Sequence, residues 1–69
     1  MDNLKQGAEG DLVKALQADL NKGCNAGLKE DGIFGPLTDA AVRKFQADAG
    51  LSVDGVVGAD TRSELAKAL

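Results

Sequence analysis

The sequence has no His, Trp or Tyr, and only one Cys, one Pro and two Phe among 69 residues. Each shortage removes a class of function. Without His and with a single Cys, a zinc site lacks its usual nitrogen and sulfur ligands. Cys24 alone cannot close an internal disulfide, so the chain is not a stapled mini-protein. No apolar run approaches the roughly 20 residues that span a bilayer, so no membrane partner is expected. The opening Met1-Asp2-Asn3-Leu4-Lys5-Gln6-Gly7 has no basic start followed by an apolar stretch, and no secretory signal is expected from it. Cations are in the minority, 8 Lys plus Arg against 11 Asp plus Glu, for a net charge of −3. That balance argues against binding a phosphate backbone, so nucleic acid is not an expected partner. Catalysis has little to stand on. Nucleophile–base pairs need a His, or a Lys or amine in a built pocket. A carboxylate pair needs a cleft that excludes water, and short helices leave little volume for one. The expectation is a protein that is not an enzyme, with no cofactor and no metal.

What is present is enough to fold. Hydrophobic residues make up 43% of the chain, and one small domain over residues 1–69 is expected. A core of this size rarely supplies more than about 3–5 kcal/mol of net stability. The first helical pattern covers residues 9–21, where Leu12, Val13, Leu16 and Leu20 share a stripe and Lys14, Gln17 and Asp19 fall away from it. Gly23 is placed for a left-handed cap. The second pattern covers residues 36–49, with Ala41, Val42, Phe45 and Ala49 on its stripe. Pro36 suits its first turn and Gly50 its stop. The third covers residues 59–69, with Leu65, Ala66 and Leu69 as its apolar face.

Two loops repeat. Gly27-Leu28-Lys29-Glu30-Asp31-Gly32-Ile33-Phe34-Gly35-Pro36-Leu37-Thr38 and Gly50-Leu51-Ser52-Val53-Asp54-Gly55-Val56-Val57-Gly58-Ala59-Asp60-Thr61 share one pattern, offset by 23 residues. Both read Gly-Leu-x-x-Asp-Gly-apolar-apolar-Gly-x-x-Thr. A second repeat, offset by 29 residues, aligns Val13-Lys14-Ala15-Leu16-Gln17-Ala18-Asp19 with Val42-Arg43-Lys44-Phe45-Gln46-Ala47-Asp48. The chain therefore reads as about two helix–loop units and a closing helix, all-α, with two Asp-Gly turns. Each loop is a shaped entry into the next helix. Its Thr lies in the first helical turn, where the hydroxyl can reach a free backbone group or the loop.

These residues resemble a known family. Asp31 to Thr38, followed by Ala41-Val42-Arg43-Lys44-Phe45-Gln46, is similar to the signature of the peptidoglycan-binding domain found beside cell-wall hydrolases. Gly50 to Gly58 with Thr61 and Leu65 is similar to its second half, and Gly7 to Asp11 with Val13, Leu16 and Gln17 to its opening. The likeness covers residues 4–69. It implies a small three-helix bundle that docks a covalently linked catalytic domain onto murein, as in autolysins, amidases, spore-cortex enzymes and phage endolysins. It implies action at the bacterial cell wall, in the periplasm or outside the cell, as a monomer. The implied ligand is peptidoglycan, through its glycan strand, its stem peptide or both. Arg62 stands where many members carry Trp or Tyr, and Cys24 where many carry an aromatic residue.

Five residues are singled out as ligand-binding candidates. Asp31 either shapes its turn or also lines a cleft, and Phe34 is either a core anchor or the cleft's apolar wall. Thr38 enters the second helix. Gln46 bonds the loop backbone or faces a ligand amide. Arg62 could meet a stem-peptide carboxylate. A different class of reading makes the bundle a protein-interaction module or a pro-domain packed on an enzyme. A weaker pattern, residues 19–30, has the first-to-last acid spacing of a calcium loop, but Cys24 stands where that loop requires glycine.

Overall fold

A computed structural model describes residues 3–69; Met1 and Asp2, with which the reading of the leader begins, lie outside the described residues. The regular structure is three helices, α1 (Asp11–Cys24), α2 (Pro36–Asp48) and α3 (Ala59–Ala68). The all-α expectation holds. Each helix opens behind a glycine (Gly10, Gly35 and Gly58), and none has a side-chain cap. The first turns carry Asp11, Asp39 and Asp60 instead, whose charge suits the positive end of the helix dipole. Pro36 sits in the first turn of α2, where a missing N–H costs nothing.

The first helix runs past its expected stop. Gly23 is helical, and Asn25 takes the left-handed conformation at φ 53° and ψ 42°. Packing explains the shift. A Cβ on Gly23 would lie 3.4 Å from the Ala68 Cβ, so the bare backbone lets the end of α3 close on α1. Asn25, whose short amide tolerates the left-handed region, takes the cap two residues later than expected.

The core is Leu4, Val13, Leu16, Leu20, Phe34, Val42, Phe45, Val57 and Leu65. Helix α1 is its spine and packs on both α2 and α3. Two expected faces change. Leu12 is 56% exposed, and the buried stripe of α1 is Val13, Leu16, Gln17 and Leu20. At about 100° per residue those four positions occupy one arc of the helix, and Leu12 falls outside it, beyond Leu16. In α3 only Thr61 and Leu65 are buried. Ala66 is exposed and Leu69 lies past the helix end.

An N-terminal arm ties the loops together. Leu4 and Val57 exchange backbone hydrogen bonds, Leu4 N–H to Val57 at 3.2 Å and Val57 N–H to Leu4 at 2.7 Å. Further along the arm, Phe34 N–H donates to the Ala8 carbonyl at 2.9 Å and Gly10 N–H to the Gly32 carbonyl at 2.9 Å. Two isolated antiparallel bridges result, Leu4 with Val57 and Glu9 with Ile33. The helical periods give no hint of this arm.

Candidate functional site

Both Asp-Gly loops are built around a glutamine. In the first, Gln17 of α1 donates its side-chain amide to Asp31 Oδ1 at 3.1 Å, the Ile33 carbonyl at 3.0 Å and Thr38 Oγ1 at 3.1 Å. Its amide oxygen accepts the Gly32 N–H at 2.9 Å. In the second, Gln46 of α2 donates to Asp54 Oδ1 at 2.9 Å, the Val56 carbonyl at 3.0 Å and Thr61 Oγ1 at 3.2 Å. Its oxygen accepts the N–H groups of Gly55 at 3.0 Å and Asp54 at 3.2 Å. An amide side chain is suited to this task, since its two donor hydrogens, one of them shared between two acceptors, and its acceptor oxygen lie on one rigid plane. Each glutamine is 1% exposed, and a buried polar group is tolerated only when it is satisfied in this way.

The aspartates complete the loops. Ile33 N–H donates to Asp31 Oδ1 at 3.0 Å, and Val56 N–H to Asp54 Oδ1 at 2.9 Å. These backbone bonds, reinforced by the glutamine amides, hold both carboxyls below the usual aspartate range. The second apolar residue of each loop, Phe34 or Val57, fills the core at 1% exposure.

The five residues singled out from the sequence do not converge on one surface. Phe34, Thr38 and Gln46 are 1%, 3% and 1% exposed. Thr38 answers Gln17, and Gln46 serves the second loop. Asp31 reaches solvent at the first loop, and Arg62 is half-buried on α3. The apolar spacing sets Gln17 away from the stripe, yet it is the counterpart in role of Gln46. The 29-residue repeat, which lays Gln17 on Gln46, carries the signal that could have found it. The acidic pattern of residues 19–30 is not a loop, because its first six residues are the end of α1. Asn21 within it is engaged with Leu28 through two hydrogen bonds of 2.8 and 2.6 Å.

A concavity lies away from the first Asp-Gly turn, where the end of α1 meets α2 and the last turn of α3. It holds about 740 Å³ and is open to solvent, a volume in the range of small-molecule sites. Leu28, Ala41 and Phe45 form its floor, and Leu37 stands on its lip at 79% exposure. Lys44 and Asp48 of α2 line it from one side, and Glu64 and Lys67 of α3 from the other. Lys67 donates to Glu64 at 2.9 Å. Among the described residues, neither Lys44 nor Asp48 enters an ion pair. Cys24 is exposed at the groove's edge. Partial burial pushes its thiol up, Asp48 adds to the rise and Lys44 opposes it. This arrangement can hold a ligand by apolar contact below and charge at the rim.

Comparison with known proteins gives a consistent neighbourhood. The family described as "Putative peptidoglycan binding domain" matches residues 9–65. The chain is 41% identical over 64 residues to the zinc D-Ala-D-Ala carboxypeptidase of Streptomyces albus G, covering 90% of this chain and 25% of the enzyme. It is 42% identical over 64 residues to a spore cortex-lytic enzyme of Halalkalibacterium halodurans, covering 93% of this chain and 19% of the enzyme. The chain thus spans a quarter or less of these curated relatives. Among solved structures, the SleB N-terminal domain superposes with a TM-score of 0.92 at 42% identity, covering 97% of this chain and 92% of that one.

Proposed function

The chain belongs to the peptidoglycan-binding domain family, and on that footing we propose that it holds a linked cell-wall hydrolase against murein. The proposal takes all 69 residues as one binding unit that acts at the cell wall. Tethering raises the local concentration of the attached enzyme, so weak binding suffices. The relatives supply the precedent for the linkage, since the chain matches only a small part of each.

The observation that carries the reading is the division of labour in the structure. The loop side chains are spent on each other, while the groove between α1, α2 and α3 offers an apolar floor and charged rim to a ligand. Phe34, Thr38 and Gln46 then contribute by holding the loops in shape, and Asp31 and Arg62, the two of the five candidates that are not buried, reach a ligand from outside the groove.

Co-sedimentation with purified sacculi tests the proposal, with a chitin suspension and heat-unfolded protein as controls. Retention on sacculi alone is the expected result. Recovery of all the protein in the supernatant at high concentration, with sacculi from several species, would overturn it and turn attention to a protein partner. Arg62→Ala and Asp31→Asn, assayed in parallel, measure what the outer contacts add.

A further inference from the structure

We infer, resting on the binding role just proposed, that the groove takes the peptide stems of peptidoglycan as zwitterionic chains and does not take its glycan strands. The first argument is the state of the aromatic rings. A sugar ring is best held against an exposed aromatic face, where an apolar body and polar surroundings meet. This chain has two aromatic residues, and both are in the core, Phe34 at 1% and Phe45 at 8% exposure. Phe45 reaches the groove only as part of its floor. The surface exposed there is aliphatic, Leu37 above all. It suits methyl-sized side chains such as those of an alanine-rich peptide.

The second argument is charge. Lys44 and Asp48 stand one turn apart on α2, and among the described residues each lacks an ion-pair partner. Across the groove, Glu64 and Lys67 already pair with each other. One wall therefore presents an open cation beside an open anion. Its complement is a ligand with a carboxylate and an ammonium a few ångströms apart. A stem peptide has this chemistry, with terminal and side-chain carboxylates and the free amine of a diamino acid. A glycan strand offers hydroxyl and acetamido groups and no positive charge.

The test titrates the isotope-labelled chain at low salt with two separate probes, followed by amide chemical shifts. One is the synthetic tetrapeptide L-alanyl-D-isoglutaminyl-L-lysyl-D-alanine; the other is a chitin tetrasaccharide. The expected result is saturable shifts at Leu28, Ala41, Lys44 and Phe45 with the peptide and none with the sugar. Lys44→Gln and Asp48→Asn should each weaken the peptide about twofold to fivefold, the range of an exposed ion pair. Both residues are exposed, so the variants should keep the wild-type circular dichroism and melt. Binding of the sugar without the peptide, or peptide binding unchanged in both variants, would overturn the inference. Retention on sacculi in the assay above would still stand in that case, whereas failure on sacculi would remove both readings.

Discussion

The two Asp-Gly loops share one clasp and differ in what supports it. In both, a buried glutamine joins an aspartate, a backbone carbonyl and a threonine. The first clasp reaches 14 residues along the chain, from Gln17 to Asp31, and the second only 8, from Gln46 to Asp54. The longer first connection needs its own fastening, which Asn21 supplies by bonding both backbone groups of Leu28. The second connection leaves α2 directly, with Leu51 N–H donating to the Gln46 carbonyl at 2.9 Å. The turn glycines also meet different neighbours. Gly32, at φ 76°, lies under the backbone of Gly10 in the arm, and Gly55, at φ 72°, lies under the Asp39–Arg43 ion pair of α2. The comparison teaches that the repeated unit is the glutamine with its loop. The elements around each copy brace it by whatever backbone or side chain lies nearest.

The strongest way to break this equivalence is to remove the glutamines. Gln17→Ala strands the buried Gly32 N–H and the Thr38 hydroxyl, while the Ile33 carbonyl keeps the Gly35 N–H, and Gln46→Ala strands the counterparts Gly55 and Thr61. Each buried group left unsatisfied costs about 1–3 kcal/mol, so either variant should lose about 3 kcal/mol or more, close to the whole stability of a domain this small. Urea melts measure it, and a large loss in one variant alone would show that the clasps are not equivalents. The glycines come next. A Cβ at Gly32 would meet the backbone oxygen of Gly10 at 3.0 Å, whereas one at Gly55 would meet the side-chain ends of Asp39 and Arg43 at 2.6 and 2.8 Å. Side-chain ends can swing aside and backbone cannot. With about 1–2 kcal/mol of left-handed strain in each case, Gly32→Ala should cost about 2–3 kcal/mol and Gly55→Ala about 1 kcal/mol less.

The aspartates separate the loops more gently. Their carboxyls titrate below the ordinary value in the folded chain, because the Ile33 or Val56 N–H and then the glutamine amide favour the charged form. The stabilisation is fully present above the unfolded value of about 3.9 and is lost as pH falls through the folded value. Melting temperature should therefore fall as the pH drops below about 4, and Asp31→Asn or Asp54→Asn should each flatten part of that fall. Equal flattening keeps the loops equivalent in charge as well as geometry. The smallest effect belongs to Arg43→Ala, which breaks an exposed i,i+4 pair worth about 0.3–0.5 kcal/mol. Its use is in combination. Gly55→Ala should cost less in the Arg43→Ala background, and Gly32→Ala should cost the same in both, which a double-mutant cycle reads directly.

Much of this molecule is legible in its sequence, and the misreadings have physical causes. The three helices and the two loops follow from local signals, namely apolar spacing, Asp-Gly turns and the Gly-x-x-Thr entries. Gln17 was misplaced because a polar residue on a helix is read as solvated unless its partners are visible, and Asp31 and Thr38 lie on a later element. Leu12 borders the apolar stripe, and only packing against α2 and α3 sets the buried arc at Val13, Leu16, Gln17 and Leu20 and leaves Leu12 outside it. Gly23 looks like a helix stop until Ala68 is brought against it from the far end of the chain. The groove was not legible at all. Leu37, Lys44, Asp48 and Lys67 are unremarkable residues on two different helices, and only the docking of those helices makes them neighbours.

The arm that pairs Leu4 with Val57 has a consequence for the order in which the protein is made. Helices form from neighbours in sequence and close quickly, but a pairing between opposite ends of a chain must wait for a long loop to close. On the ribosome, the first clasp has all its parts once Thr38 has emerged. The second still lacks its brace, because Leu4 has nothing to bond until Val57 appears. Leu4 is synthesised 53 residues before its partner Val57, so an apolar side chain destined for the core stays uncovered until the second loop has emerged.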